Sequence, residues 1–345
     1  MRAVVLHGPG QLSVETVSVS ALLPGQQLVR VGACGICGSD LRYFAGENPW
    51  AKHTLGYEKP NPPEMILGHE IGGWVDGQAV GCLSFKACGE CLECRRGQIQ
   101  LCAHTAHLGH GAGWEGQNPG GMADYCPIWT EHLYALPDGL GVDEATFLDG
   151  LAVAVHAARL ADIFPGSALL LLGGGPIGLM VAQAARALGA GKAIIVDMYD
   201  TPLQCARELG LGPCVNLSES GAEGLSAELD ALPGGVHAVF DTTGDLEAQR
   251  LGLRSLARGG TMMLMAGAAE GFQIGPADLA GERRLMTCSN HRYEDFGIAL
   301  SMMAEGRVVV GPMVTHRFSL EDAPKAFAIA ADKVNTGALK VILKP

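Results

Sequence analysis

The chain has 345 residues, 48% of them hydrophobic and 17% charged, which is enough apolar content for two domains that each bury a core. A net charge of −12 argues against nucleic acid or an anionic membrane surface as the main partner. No apolar run reaches the ~20 residues of a bilayer-spanning helix, and with no visible secretory leader the eleven cysteines point to a reduced, cytoplasmic protein rather than a disulfide scaffold.

Residues 3–6, 12–17 and 27–31 alternate apolar and polar side chains between Gly-Pro and Leu-Pro-Gly breaks, predicting short antiparallel strands. Residues 32–44, Gly-Ala-Cys-Gly-Ile-Cys-Gly-Ser-Asp-Leu-Arg-Tyr-Phe, then read as a glycine-bendable loop dense in chemistry. As letters, Cys34-Gly-Ile-Cys37 is open between a redox pair, two core thiols and a metal ligand, though no βαβ pattern surrounds it as a thioredoxin-type motif requires. Ser39 offers a hydroxyl that can pass on a proton. Asp40 reads either as a partner for the ring of a metal-bound histidine or as a turn residue. After a proline-rich loop over 45–67 comes Gly68-His69-Glu70. Thiolate, imidazole and carboxylate from separated segments form the donor set of an open zinc site.

The spacing Cys88-x2-Cys91-x2-Cys94-x7-Cys102 is the most specific in the chain. Four thiolates so placed can close a tetrahedron around Zn²⁺ and exclude water, which makes a structural site. Residues 103–125, rich in Gly and His, predict an irregular loop with His110 and Trp114 as pocket candidates. Apolar residues at i, i+3 and i+4 predict a helix over 144–164, with Asp149 in its opening turns.

Residues 167–172 predict a strand, Gly173-Gly174-Gly175-Pro176-Ile177-Gly178 a turn, and the chain to 188 a helix; a second strand over 193–196 ends in Asp197. That context is a dinucleotide fingerprint. Gly173, Gly175, Pro176, Ile177 and Gly178 bring helix-terminal amides to a pyrophosphate. Asp197 would bond both ribose hydroxyls and repel a 2′-phosphate, and residues 198–205 carry no Arg or Lys, which favours NAD over NADP. The βα alternation continues to about 265, as a parallel sheet with crossover helices requires.

On these motifs, from about residue 1 to 344, the chain resembles the zinc-dependent medium-chain alcohol dehydrogenases, and within them the sorbitol and polyol branch. The resemblance implies an α/β chain with a GroES-like, mostly β catalytic domain over 1–151 and a structural-zinc lobe at 82–104. A Rossmann doubly wound NAD-binding domain over 152–287 and a return to the first domain over 288–345 complete it. It implies a catalytic zinc on Cys37, His69 and Asp149, with Glu70 as a further ligand or a holder of water, and a relay starting at Ser39. The structural zinc falls to Cys88, Cys91, Cys94 and Cys102, and Thr243, Met265 and Ala266 run along the nicotinamide. Tyr43 and His291-Arg292-Tyr293, which resembles the family's Phe-Arg-Tyr, supply substrate contacts through Tyr43, Arg292 and Tyr293. The implied reaction oxidises a secondary alcohol of a polyol or sugar-like substrate to a ketone, with hydride transfer to NAD⁺, in a homodimer or homotetramer.

Three departures qualify this. Arg42 stands where many relatives end the relay with histidine, which opens a sugar acid (an aldonate) as the alternative substrate. Asp149-Gly150 replaces Glu-Pro with an acid one methylene shorter. The hairpin around Gly77-Gln78-Ala79-Val80 is trimmed. A reading of another class, a non-catalytic NAD-binding protein, rests on the first two of these departures.

Overall fold

A computed structural model describes residues 1–345 apart from 115–117, 233, 268–270 and 272 and the side chain of Ala222. The chain divides into two compact units, Met1–Gly150 with Asn290–Ala304 and Val314–Pro345, and Leu151–Ser289 with Glu305–Met313. Residues 305–313 join the second unit, where the Gln183 side chain both donates to the Val309 carbonyl (3.1 Å) and accepts from its amide (2.8 Å).

In the first unit, Arg2–Gly8 pairs antiparallel with Gln11–Thr16 and with Met65–Ile66. The larger sheet runs Leu133–Ala135, Gln78–Cys82, Glu70–Val75, Gln26–Gly35, Lys340–Lys344, Val314–Ser319, with Tyr125–Trp129 also paired to Gln26–Gly35. Its apolar face closes over Val29, Val31, Ile71, Met122, Ile128 and Leu343.

The expected loop over 32–44 proves ordered: the strand continues to Gly35 and a short helix, Gly38–Phe44, follows. The glycines serve close approach here rather than flexibility. A Cβ on Gly32 would lie 2.2 Å from the Trp74 ring, and one on Gly35 2.3 Å from Glu70 Oε2. The C-terminal strand lies against the same residue, with Ile342 opposite Gly35 and Gly35 opposite Glu70. Lys340, two residues before Ile342 and on the same face, thereby reaches Glu70 across the gap that Gly35 leaves.

The helix expected over 144–164 is two helices, Val142–Ala145 and Leu148–Leu160. Thr146 Oγ1 donates to the Asp143 carbonyl (2.6 Å), a local bond that competes with the helical ladder. The second helix stops short of Phe164 because Asp162 adopts φ 59°, in the left-handed region.

The second unit is a six-stranded parallel sheet ordered Cys214–Asn216, Ala193–Asp197, Leu169–Leu172, Val236–Asp241, Leu256–Leu264, Arg284–Thr287. In chain order that is 3-2-1-4-5-6, the doubly wound dinucleotide-binding order, whose switch point lies between the first and fourth strands. Among the described residues no helix is long and apolar enough to cross a membrane.

Candidate active site

Cys37 stands where the strand Gln26–Gly35 gives way to the helix Gly38–Phe44. Asp40, at the third helical position and fully buried, accepts the Cys37 amide on Oδ2 (2.8 Å) and the Gly68 amide on Oδ1 (3.3 Å). One carboxylate thus stitches together the two segments that carry Cys37 and His69. Gly68 has φ +95°, and a Cβ there would lie 2.6 Å from Cys34 Sγ, so only glycine fits. The outcome is that the ligand atoms of Cys37, His69 and Glu70 all lie within 4.8 Å of one another.

These residues fit a zinc ion by donor chemistry and by charge. Burial lowers the affinity of the His69 ring for a proton, but the charges of Asp40, Cys37 and Asp149 outweigh it and push the ring up to about 10. A site that draws positive charge this strongly suits a divalent cation. The Ser39 hydroxyl oxygen is buried with no hydrogen-bond partner among the described residues, so the protein alone leaves it unsatisfied.

Asp149, expected as the third ligand, stands outside the converging set, whose carboxylate is Glu70. Asp149 Oδ1 accepts from Ser84 Oγ (3.1 Å) and faces His291 Nε2 (3.5 Å). The physical reason is reach and a competing hold: the shorter acid is taken up by Ser84 and His291. Glu70 is itself ion-paired with Lys340, which is buried beside the Phe147 ring. Of the two readings left open for Asp40, the ring partner is not met, since Asp40 Oδ1 lies 3.8 Å from His69 Nδ1, while His110 Nε2 lies 3.2 Å from that nitrogen. His110 stacks on His107 at 3.8 Å between ring centroids, and burial pushes His107 down to about 3.

The four lobe cysteines converge as their spacing predicts, all four sulfurs lying within 4.8 Å of one another. Sulfur separations of 3.5, 3.8 and 4.0 Å match the roughly 3.8 Å edge of a tetrahedron with Zn–S bonds of about 2.3 Å. Backbone amides of Glu90 and Cys91 donate to Cys88 and pull its thiol down to about 6, toward the thiolate a metal needs.

The substrate candidates are more engaged than the motifs implied. Tyr43 is fully buried against the His110 ring, its hydroxyl donating to Asn48 Oδ1 (3.4 Å). The Tyr293 hydroxyl accepts the Ala87 amide (2.7 Å), bracing the cysteine lobe. Arg292 Nε is buried without a hydrogen-bond partner. Arg42 donates twice to Glu47 Oε2 (2.9 and 2.6 Å) and sits 2.7 Å from His53 Nε2. Trp114 Nε1 donates to the His104 carbonyl.

In the second unit the glycine-rich turn follows the first strand and Thr242-Thr243-Gly244 follows the fourth, which places both at the switch point. Gly173 has φ +101°, and a Cβ on Gly178 would lie 2.0 Å from the Gly173 carbonyl oxygen. Gly175 caps the helix Pro176–Ala187, Pro176 takes its first turn, and nothing lies within 4 Å of a Cβ built on Gly175. That open, amide-lined helix start fits a pyrophosphate. Asp197 braces the turn by accepting the amides of Gly174 (2.7 Å), Met198 (2.7 Å) and Tyr199 (3.0 Å). Thr243 donates to Asp241 Oδ1, and the Met265 amide, next to Ala266, bonds the Asp241 carbonyl (2.8 Å).

Lys340, Ser84 and the pairing of His291 with Asp149 were missed from the sequence. The one available signal was Lys340, a lone charge opening the apolar run Val341-Ile342-Leu343.

Two family models match the chain: an alcohol dehydrogenase GroES-like domain over residues 23–138 and a zinc-binding dehydrogenase over residues 176–305. Sorbitol dehydrogenase of Ovis aries is 30% identical, over 99% of this chain and 96% of that protein. L-idonate 5-dehydrogenase of Vitis vinifera is 28% identical, over 98% and 93%. The crystal structure of 2R,3R-butanediol dehydrogenase from Bacillus subtilis superposes with a TM-score of 0.85 at 27% identity, covering 100% of this chain and 99% of that one. With a GroES-like unit, a parallel dinucleotide-binding unit and full-length similarity to such enzymes, the chain belongs to the zinc-dependent medium-chain alcohol and polyol dehydrogenases.

Proposed function

We propose that the chain oxidises a secondary alcohol of a polyol or sugar-like substrate to the ketone, with NAD⁺ as hydride acceptor. The convergence of Cys37, His69 and Glu70 carries this reading. Those three residues would hold the catalytic zinc, and Cys88, Cys91, Cys94 and Cys102 a structural one. Zinc, when bound, supplies a Lewis acid that makes the substrate hydroxyl more acidic, and NAD⁺ supplies the hydride acceptor. The unpartnered hydroxyl of Ser39 would relay the proton released from the substrate, accepting it while giving its own proton to water. Asp40 holds the Cys37 and His69 segments in register, and Lys340 neutralises Glu70. The open oxygen of Asp149 serves as an acceptor for a substrate or water hydroxyl.

Arg42 spends its guanidinium on Glu47 and His53, which favours a neutral polyol over an aldonate. Arg292, whose Nε is buried without a hydrogen-bond partner while Nη1 lies 3.8 Å from Glu294 Oε1, is the cation within the substrate motif. The NAD preference rests on Asp197, and assembly as a cytoplasmic homodimer or homotetramer rests on the family alone. NADH formation by zinc-replete protein, measured across polyols, aldonates and simple alcohols and repeated with NADP⁺, tests the reading. A rate confined to polyols with NAD⁺ is expected; a rate confined to aldonates overturns the substrate class. Ser39→Ala is expected to lower kcat by about 10²-fold with zinc content unchanged.

A further inference from the structure

Two buried groups beside the donor set, Ser84 and His291, have no part in the reading above, and both touch Asp149. Ser84 and His291 are fully buried. Both act on one and the same oxygen, Asp149 Oδ1, at 3.1 Å from Ser84 Oγ and 3.5 Å from His291 Nε2. The other oxygen, Oδ2, has no partner among the described residues, and the Asp149 side chain keeps 11% of its surface accessible. The carboxylate therefore has a pinned end and an open end.

The orientation of the pinning ring is itself set. His291 Nδ1 lies 2.9 Å from the Arg292 carbonyl oxygen, so both ring nitrogens face acceptors, and a flip of the ring would put carbon atoms against both. Phe85 and Phe296 enclose it, with ring centroids at 5.1 and 6.0 Å. Burial pushes the Asp149 carboxyl up. The hydrogen bond from His291 more than reverses this, which holds the carboxyl below its ordinary range.

We propose that His291 is a positioning residue for the reaction: with Ser84 it clamps Oδ1 of Asp149, holding that acid outside the Cys37–His69–Glu70 donor set with Oδ2 presented as a hydrogen-bond acceptor. An aspartate alone is a competent metal ligand. Released, it would compete for the open metal position; clamped, it can only accept a hydrogen bond beside it. The proposal pairs two local departures that the sequence shows separately, the shortened acid at 149 and histidine where the family motif has phenylalanine. It rests on the function proposed above and concerns how that site is arranged.

The test uses the holoenzyme with Co²⁺ in place of zinc, read by visible absorption, together with steady-state kinetics. The four-cysteine site contributes equally to every variant and drops out of difference spectra. His291→Phe is expected to shift the d–d bands and lower kcat/KM about 10-fold or more. His291→Gln, whose amide can still donate to Oδ1, is expected to recover most of both. In an Asp149→Asn background His291→Phe is expected to add no further loss, because it acts through the carboxylate. An unshifted His291→Phe spectrum, or losses that multiply in the double variant, overturns the proposal. If His291→Phe does not fold, Ser84→Ala must move the same bands in the same direction, and an unmoved spectrum overturns it equally. A failure of the proposed function itself would show first, in wild-type protein that holds one metal or oxidises no alcohol.

Discussion

At Gly35 the absence of a side chain decides the chemistry of two others. Glu70 and Lys340 meet over that glycine, from strands that flank it on either side. Gly35→Ala would place a methyl 2.3 Å from Glu70 Oε2. It is expected to cost the catalytic zinc while sparing the structural one, so that metal analysis reads about one zinc per chain instead of about two. In the zinc-free protein, Lys340→Met removes one member of a buried ion pair and leaves Glu70 uncompensated. Chemical denaturation is expected to show a loss of about 3–5 kcal/mol. Neither effect was legible from local sequence, because Gly35, Glu70 and Lys340 lie far apart in the chain and only strand register brings them together. The convergence of Cys37 with His69 and of the four lobe cysteines was legible, since few residue types suit a metal and short spacings leave recognisable patterns.

Among the elements, the cysteine lobe is the one that its own sequence comes nearest to specifying. It contains only a four-residue helix, a 3₁₀ turn and little buried apolar surface, so metal binding must supply much of its order. Removal of zinc by a strong chelator is expected to raise hydrogen exchange over residues 88–102. The strand Gln26–Gly35, buried in the main sheet, is expected to keep its protection. Equal loss in both would mean that the lobe folds without its metal. The helix around Asp149 shows the reverse case. Its apolar periodicity predicted one continuous helix, and the structure interrupts it at Thr146-Phe147, whose amides bond three residues back to Asp143 and Glu144. The histidine-rich loop carried no periodicity at all. The stacking of His107 on His110, and the edge-on contact of His110 with His69, are products of packing rather than of spacing.

For the molecule as a whole, the second unit's strand order follows from alternating strands and helices with right-handed crossovers, which leave few topologies open. Asp197 at the end of its second strand should set cofactor choice. Asp197→Ser is expected to lower the ratio of kcat/KM for NAD⁺ over NADP⁺ by about 10-fold or more, a shift of about 1.4 kcal/mol; an unchanged ratio would remove Asp197 from that role. By itself the sequence determined the two-part architecture, the clustering of four cysteines, the glycine-rich turn and the family, all of them carried by short-range patterns of residues. The tertiary structure alone decided that Glu70 rather than Asp149 joins Cys37 and His69. It alone also decided that Lys340 balances Glu70, and that Ser84 and His291 hold Asp149. Those outcomes depend on the register of strands distant in sequence and on which buried groups compete for one carboxylate, and neither leaves a mark in any single stretch of the chain.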